Sequence, residues 1–184
     1  INPKPLIAAF NEFFRVSQLS TIVDQTNHLS ELDNLRRLTV MGSGGVSRER
    51  ASFSIRDIHS SQYGRICPVR TPEGPNIGLV TYMTLFARVN EFGFLETPYR
   101  KVVNKKVTDE IVYLQADDEE QYYITDASTA ITKDGKLADS IVPTRYKGDF
   151  LEVDSSNIQL IDISAQQVVG TSASLIPFIA HDEA

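Results

Sequence analysis

The sequence predicts an α+β chain, with a mixed helical and stranded first part followed by a small antiparallel β module. Three observations predict it. Apolar residues recur at helical spacing near the start, short β-rich runs separated by polar turns fill residues 94–162, and the charge divides along the same line. The first 101 residues hold 12 Lys and Arg against 9 Asp and Glu, whereas residues 102–184 hold 6 against 15. Every basic residue between Lys4 and Lys101 is arginine, whose planar fork of donors matches phosphate better than the point charge of lysine. The acidic second part repels a phosphate backbone, so a nucleic-acid partner would meet the first part only. Chance placement of charge is the competing reading.

Each element follows from its pattern. Leu6, Ile7, Phe10, Phe13 and Phe14 predict a helix over 3–16, with Pro3 and Pro5 where a missing N–H costs little. Leu19, Ile22 and Val23 predict a second short helix over 17–25. Ser30, with Asp33 three residues on, marks the start of a third that carries Leu32, Leu35, Arg36 and Arg37 until Gly42–Gly45 breaks it. The alternation over Phe53–Ile58 predicts a strand, and the turn-rich Thr71–Gly78 a shaped loop. Leu79, Tyr82, Met83, Phe86 and Val89 predict a helix over 78–90 that Gly93 ends. Strands are then expected at Tyr99–Val103, Glu110–Leu114, Gln121–Thr125, Ala138–Pro143 and Gln159–Ile163, with polar turns at 116–120 and 133–136. Ser164 is placed to cap a last helix.

Composition bounds the function. With 41% apolar and 23% charged residues in 184, the chain is ordinary globular material for one domain or two small ones. No run of about 18 apolar residues could span a membrane, and no secretory leader opens the chain. A first residue Ile1 in place of Met suggests an internal piece of a longer protein. The single Cys67 excludes an internal disulfide and fits a reducing cytoplasm.

Catalytic patterns are missing. His28, His59 and His181 are scattered without metal spacing, and Cys67 has no histidine near it in sequence and reads as a buried, inert thiol. There is no Walker or dinucleotide fingerprint, and Asp117–Glu120 reads as a solvated turn. No catalytic residue and no metal ligand is predicted. The arginines say more. Arg48 and Arg50 flank Glu49 directly after the glycine loop, and Arg37 ends the helix before it. Glycine has no Cβ to obstruct a close approach, so such a loop can reach a phosphodiester; a surface loop held by Arg–Glu pairs is the competing reading. In Thr71–Asn76 two prolines stiffen the backbone and present Glu73 and Asn76 at little entropic cost, unless the loop is a plain connector.

These same residues carry a resemblance. Ser17-Gln18-Leu19-Ser20, Asp24-Gln25, Leu29-Ser30-Glu31-Leu32, Arg36-Arg37 and Gly44-Gly45 are followed by Arg48-Glu49-Arg50-Ala51, Arg56-Asp57-Ile58-His59 and Tyr63-Gly64-Arg65-Ile66-Cys67-Pro68. Then come Thr71–Leu79, Asn90-Glu91, Glu96–Val102 and Ala173–Phe178. In that order they resemble the β subunit of bacterial RNA polymerases from its rifamycin-resistance region onward, thinning only across 103–160. The resemblance implies a fork domain over 1–92, a β-rich external domain over 93–160 and the start of a hybrid-binding region over 161–184. It implies that Arg37, Arg48, Arg50, Glu73 and Asn76 face the DNA template and nascent RNA. It implies partners in the β′ and α subunits, the remainder of β and transcription factors, with no membrane, and a cytoplasmic, nucleoid-associated setting. No cofactor is expected in this piece: the Mg2+ of the complete DNA-directed nucleotidyltransferase belongs to β′, so the piece positions and does not catalyse. A free-standing protein-interaction module, docking through its acidic β segment, is the rival.

The rifamycin-pocket positions implied are Thr21, Ile22, Asp24, Asn34, Arg37, Thr39, Met41 and Val80. Asp24 and Arg37 keep the family pattern. Thr21, Ile22, Asn34, Thr39 and Met41 stand where the family carries Gln, Phe, His, Ser and Leu, so weakened rifamycin binding is expected. Arg70 stands in place of the usual Glu, and Ser43 and His28 each in place of Pro.

Overall fold

A computed structural model describes residues 2–181. Helix α1 runs Lys4–Asn11 behind Pro3 and widens into a π-helical turn, Glu12–Val16, so the predicted first helix forms over its full span. The helix expected over 17–25 does not form; that stretch is bends and extended chain, with Leu19 and Ile22 left exposed. Leu19 and Ile22 are left uncovered among the described residues, and packing is what stabilises a helix this short. Helix α2 spans His28–Leu35. Its cap is Asn27, whose side chain accepts from the Ser30 amide at 2.8 Å, so the helix begins earlier than the Ser30 reading placed it.

Strand β1, Arg37–Thr39, pairs with β2, Val80–Tyr82, in an antiparallel ribbon that sets Arg37 opposite Tyr82 and Thr39 opposite Val80. The helix expected over 78–90 is therefore a strand and turns. Val80, Tyr82 and Thr84 are buried while Thr81 and Met83 between them are half-buried, a period of two. Residues 53–58, expected as a strand, instead contain a one-turn helix α3, Phe53–Arg56, whose Phe53 is exposed. Among the described residues no strand pairs with this stretch, so its alternation has nothing to act on.

The β module comprises β3 (Arg88–Val89), β4 (Leu95–Val103), β5 (Lys106–Leu114), β6 (Ile124–Thr125), β7 (Ile141–Tyr146), β8 (Asp149–Asp154) and β9 (Leu160–Asp162). The order is β3-β4-β9-β6-β7-β8, with β5 also on β4. All pairings are antiparallel except β6 with β9. Strand β8, which was not anticipated, is acidic and exposed along most of its length. One apolar cluster gathers Tyr99, Leu114, Ile124 and Leu160, and another Val102, Leu137, Ile158 and Ile161. Burying such side chains contributes roughly 1.5–3 kcal/mol each. A third cluster, Cys67 with Val169 and Ala173, seats the C-terminal segment on the first part and confirms Cys67 as a buried thiol. Ser164 caps a 3-10 turn, Ala165–Val168, by accepting from the Gln166 amide.

Candidate nucleic-acid interface

The arginine turn and the proline loop are held together by a third arginine. Arg48–Arg50 is a single 3-10 turn with both guanidinium groups exposed, and Gly74–Asn76 is another. From α3, the Arg56 Nη1 donates to Pro75 O at 2.7 Å and Ile77 O at 2.8 Å, while Nη2 reaches Arg48 O at 3.4 Å. One rigid fork thus fixes two loops from distant sequence side by side. Gly78 makes the approach possible: at φ +71 its place for a Cβ lies 2.5 Å from Arg56 O. The neck of the loop is closed by Thr71, whose hydroxyl accepts from Gly78 N at 2.9 Å and donates to Val80 O at 3.1 Å.

The glycine loop folds on itself in the same way. Gly45 N donates to Gly42 O at 3.0 Å and Val46 N to Val40 O at 2.9 Å, and a Cβ on Gly45 would lie 2.3 Å from Val40 O. Glu73 is exposed, as expected. Asn76 is not: it is half-buried, and its Oδ1 is buried without a hydrogen-bond partner among the described residues. Arg37 is exposed at the start of β1. The turn bearing Arg48 and Arg50 and the loop bearing Glu73 and Asn76 are therefore joined through Arg56.

Arg36, Arg65 and Arg88 serve the fold instead. Arg36 donates to the carbonyls of Thr84, Leu85 and Ala87. Arg88 lies 3.4 Å from the Tyr113 ring centroid and pairs with Glu96 at 3.0 Å. Arg65 is 3% exposed; it donates to Leu114 O at 2.9 Å and Tyr63 O at 3.0 Å and pairs with Glu119 at 2.6 Å. The segregated charge thus overstates the basic surface. Glu119 is a correction of the solvated-turn reading of Asp117–Glu120: it ends a one-turn helix, Ala116–Glu119, with its carboxylate turned inward onto Arg65 and Arg145.

Around Arg145 lies a buried polar knot. Arg145 Nη2 donates to Tyr99 Oη at 3.0 Å, and its guanidinium sits 3.6 Å from the Tyr63 ring centroid. Tyr63 donates to Asp162 Oδ2 at 2.6 Å. Asp162 Oδ1 lies 3.7 Å from Arg145 Nη2, too far for a hydrogen bond, and has no other partner among the described residues. Burial pushes the Asp162 carboxyl up to about 6 against the opposing pull of Arg145 and the Tyr63 hydrogen bond. Burial also raises Tyr63 and Tyr99, so both remain neutral donors or acceptors. The knot ties Tyr63–Cys67 to the β module and was not foreseen. Its one signal is a carboxylate inside an apolar run, Leu160–Ile163, where Asp162 must find a cation.

The rifamycin-pocket positions are dispersed in environment. Thr21, Ile22 and Asp24 lie on the exposed stretch after the π turn, and hydrogen bonds from the Thr26 hydroxyl and amide lower the Asp24 carboxyl. Asn34 and Met41 are half-buried, and Arg37 and Thr39 are exposed. Val80 is fully buried opposite Thr39. Among the described residues no group of three or more His, Cys, Asp and Glu side chains could hold a metal, and no helix is long and apolar enough to cross a membrane.

With this geometry in place, the chain was compared with known proteins. The family described as RNA polymerase Rpb2, domain 3, matches residues 21–89, and that described as RNA polymerase beta subunit external 1 domain matches 99–164. A curated relative, the DNA-directed RNA polymerase subunit beta of Methylacidiphilum infernorum (isolate V4), is 54% identical over 184 residues, all of this chain. The chain spans 14% of that relative's length.

Proposed function

Because the chain belongs to the β-subunit family of DNA-directed RNA polymerases, we propose that it serves a multisubunit transcription enzyme by positioning nucleic acid beside the reaction without performing the chemistry. The RNA–DNA hybrid and the downstream fork are its ligands. The observation that carries this reading is the Arg56 clamp, which sets the exposed Arg48 and Arg50 beside the loop bearing Glu73 and Asn76. Phosphates meet the two arginines, which lack partners in the hydrogen bonds and ion pairs of their side chains among the described residues. Glu73 is the exposed side chain of that loop, whereas the Asn76 Oδ1 is turned inward. Template-directed nucleotidyl transfer with Mg2+ belongs to the complete polymerase, with the metal on β′, and β′, α and the rest of β are the protein partners.

The test is salt dependence. In polymerase reconstituted with full-length β, R48A/R50A is expected to weaken binding to an RNA–DNA hybrid scaffold and to reduce the slope of log affinity against log salt by about 2, one per phosphate lost. An unchanged slope overturns the reading. The rival, docking of transcription factors on the acidic segment, is favoured by one observation: β8 is an edge strand with Phe150 exposed between Asp149 and Glu152. It predicts instead that substitutions in β8 abolish factor binding and leave the salt slope intact.

A further inference from the structure

Helix α2 is anchored by charge and not by an apolar face. Of its eight residues the only buried one is Asp33, while Leu29, Leu32 and Leu35 are exposed. The Asp33 carboxylate is satisfied from two directions. Oδ2 accepts from Arg70 Nε at 3.2 Å and faces Nη2 at 3.1 Å; Oδ1 accepts from Ser172 Oγ at 2.8 Å. Arg70 itself lies over the Tyr82 ring, 4.4 Å from its centroid, and Tyr82 is the register partner of Arg37. The residue after Arg70 is Thr71, which closes the neck of the proline loop.

From this we infer that Asp33 and Arg70 are positioning residues that lock α2 and β1 to the Thr71–Gly78 loop, so that Arg37 and the Glu73–Asn76 turn meet one nucleic acid in fixed register. The inference rests on the nucleic-acid reading above. A carboxylate this buried needs its cation, since Ser172 alone supplies one hydrogen bond to a full charge. Asp33 is the one buried residue of α2, so loss of the pair frees α2 to shift relative to the loop. The Arg70 side chain is 39% exposed, enough to touch a phosphate directly, and the test separates that role from positioning.

Full-length β carrying D33R, R70D or both is reconstituted into polymerase, and affinity for the hybrid scaffold is measured against salt. Each single variant is expected to lose about tenfold in affinity with the salt slope unchanged, and the double swap to recover most of it. A slope that falls by about 1 in R70D, without recovery in the swap, makes Arg70 a phosphate contact and overturns the proposal. If the single variants fail to assemble, R70K decides: it keeps the charge but not the fork, and wild-type affinity in R70K overturns the proposal while a several-fold loss at unchanged slope upholds it. Failure of the underlying reading looks different, because R48A/R50A would then also leave the slope untouched.

Discussion

The Tyr63 hydroxyl and the Asp162 carboxylate meet at 2.6 Å across 99 positions of sequence. That bond closes the knot in which Arg65, Arg145 and Glu119 bring two positive and one further negative charge into the seam between the first part and the β module. Asp162 has a dry environment and only one good hydrogen bond, which is why its carboxyl titrates late.

Asp162 is raised from 3.8 to about 6, so between those values the folded state holds a proton that the unfolded state has released. The contribution is therefore fully present below about pH 4 and is lost as pH climbs to about 6, at a cost of about 3 kcal/mol above it. Hydrogen exchange at the β9 amides of the assembled enzyme, corrected for intrinsic rates, is expected to show protection falling across that window. D162N should flatten the profile; an unchanged profile in D162N would assign the dependence elsewhere.

Arg65→Met should be among the most damaging substitutions in the chain. It strips the 2.6 Å partner from Glu119 and removes the guanidinium donor to the carbonyls of Tyr63 and Leu114. The expected loss is about 3–5 kcal/mol, read as a shift in denaturant midpoint, because a buried ion pair loses one member and Glu119 is left with Arg145 alone at 3.3 Å. R65M/E119Q, which removes both charges, should recover part of it.

Gly78→Ala meets two obstacles at once. Its φ is +71, and the new methyl would sit 2.5 Å from Arg56 O and 2.7 Å from Arg56 Cα. Backbone strain alone costs about 1–2 kcal/mol, and relief of the clash must push α3 off the proline loop. Faster proteolytic cleavage within 71–78 is the expected readout, with Gly74→Ala, whose Cβ would meet nothing within 4 Å, giving the smaller change.

Ile22→Phe with Asn34→His should make a polymerase containing this β subunit more sensitive to rifamycin, by about tenfold or more for a restored ring contact and hydrogen bond. Inhibition of transcription by the unmodified enzyme at the concentrations that stop ordinary bacterial polymerases would contradict the premise.

Legibility in the sequence tracked how local the deciding forces were. Helix α1 was readable because Leu6, Phe10 and Phe13 repeat at its period and Pro3 marks its start. The 78–90 stretch was not, because Leu79, Tyr82, Met83 and Phe86 fit helical spacing as well as a strand, and only pairing with Arg37–Thr39 decides between them. Phe53–Ile58 failed for the opposite reason: a strand pattern without a partner. The surface of the candidate site, Arg48, Arg50 and Glu73, was visible as composition. The parts that hold it, Arg56 on two carbonyls, Arg70 on Asp33 and Arg145 in its knot, depend on segments far apart in sequence and leave no periodic trace.

The placement of β9 has a consequence for how the molecule is made. Leu160–Asp162 comes last among the strands, yet it lies between β4 and β6 and pairs with both. During synthesis the earlier strands can form only two separate groups, β3 and β5 on β4 and β6 and β8 on β7, until this segment leaves the ribosome. Until then Arg145 and Glu119 wait without Asp162, and the exposed edges of the two groups are open to wrong partners. A pause or truncation before residue 160 should therefore produce an aggregating nascent chain, not a partly folded domain.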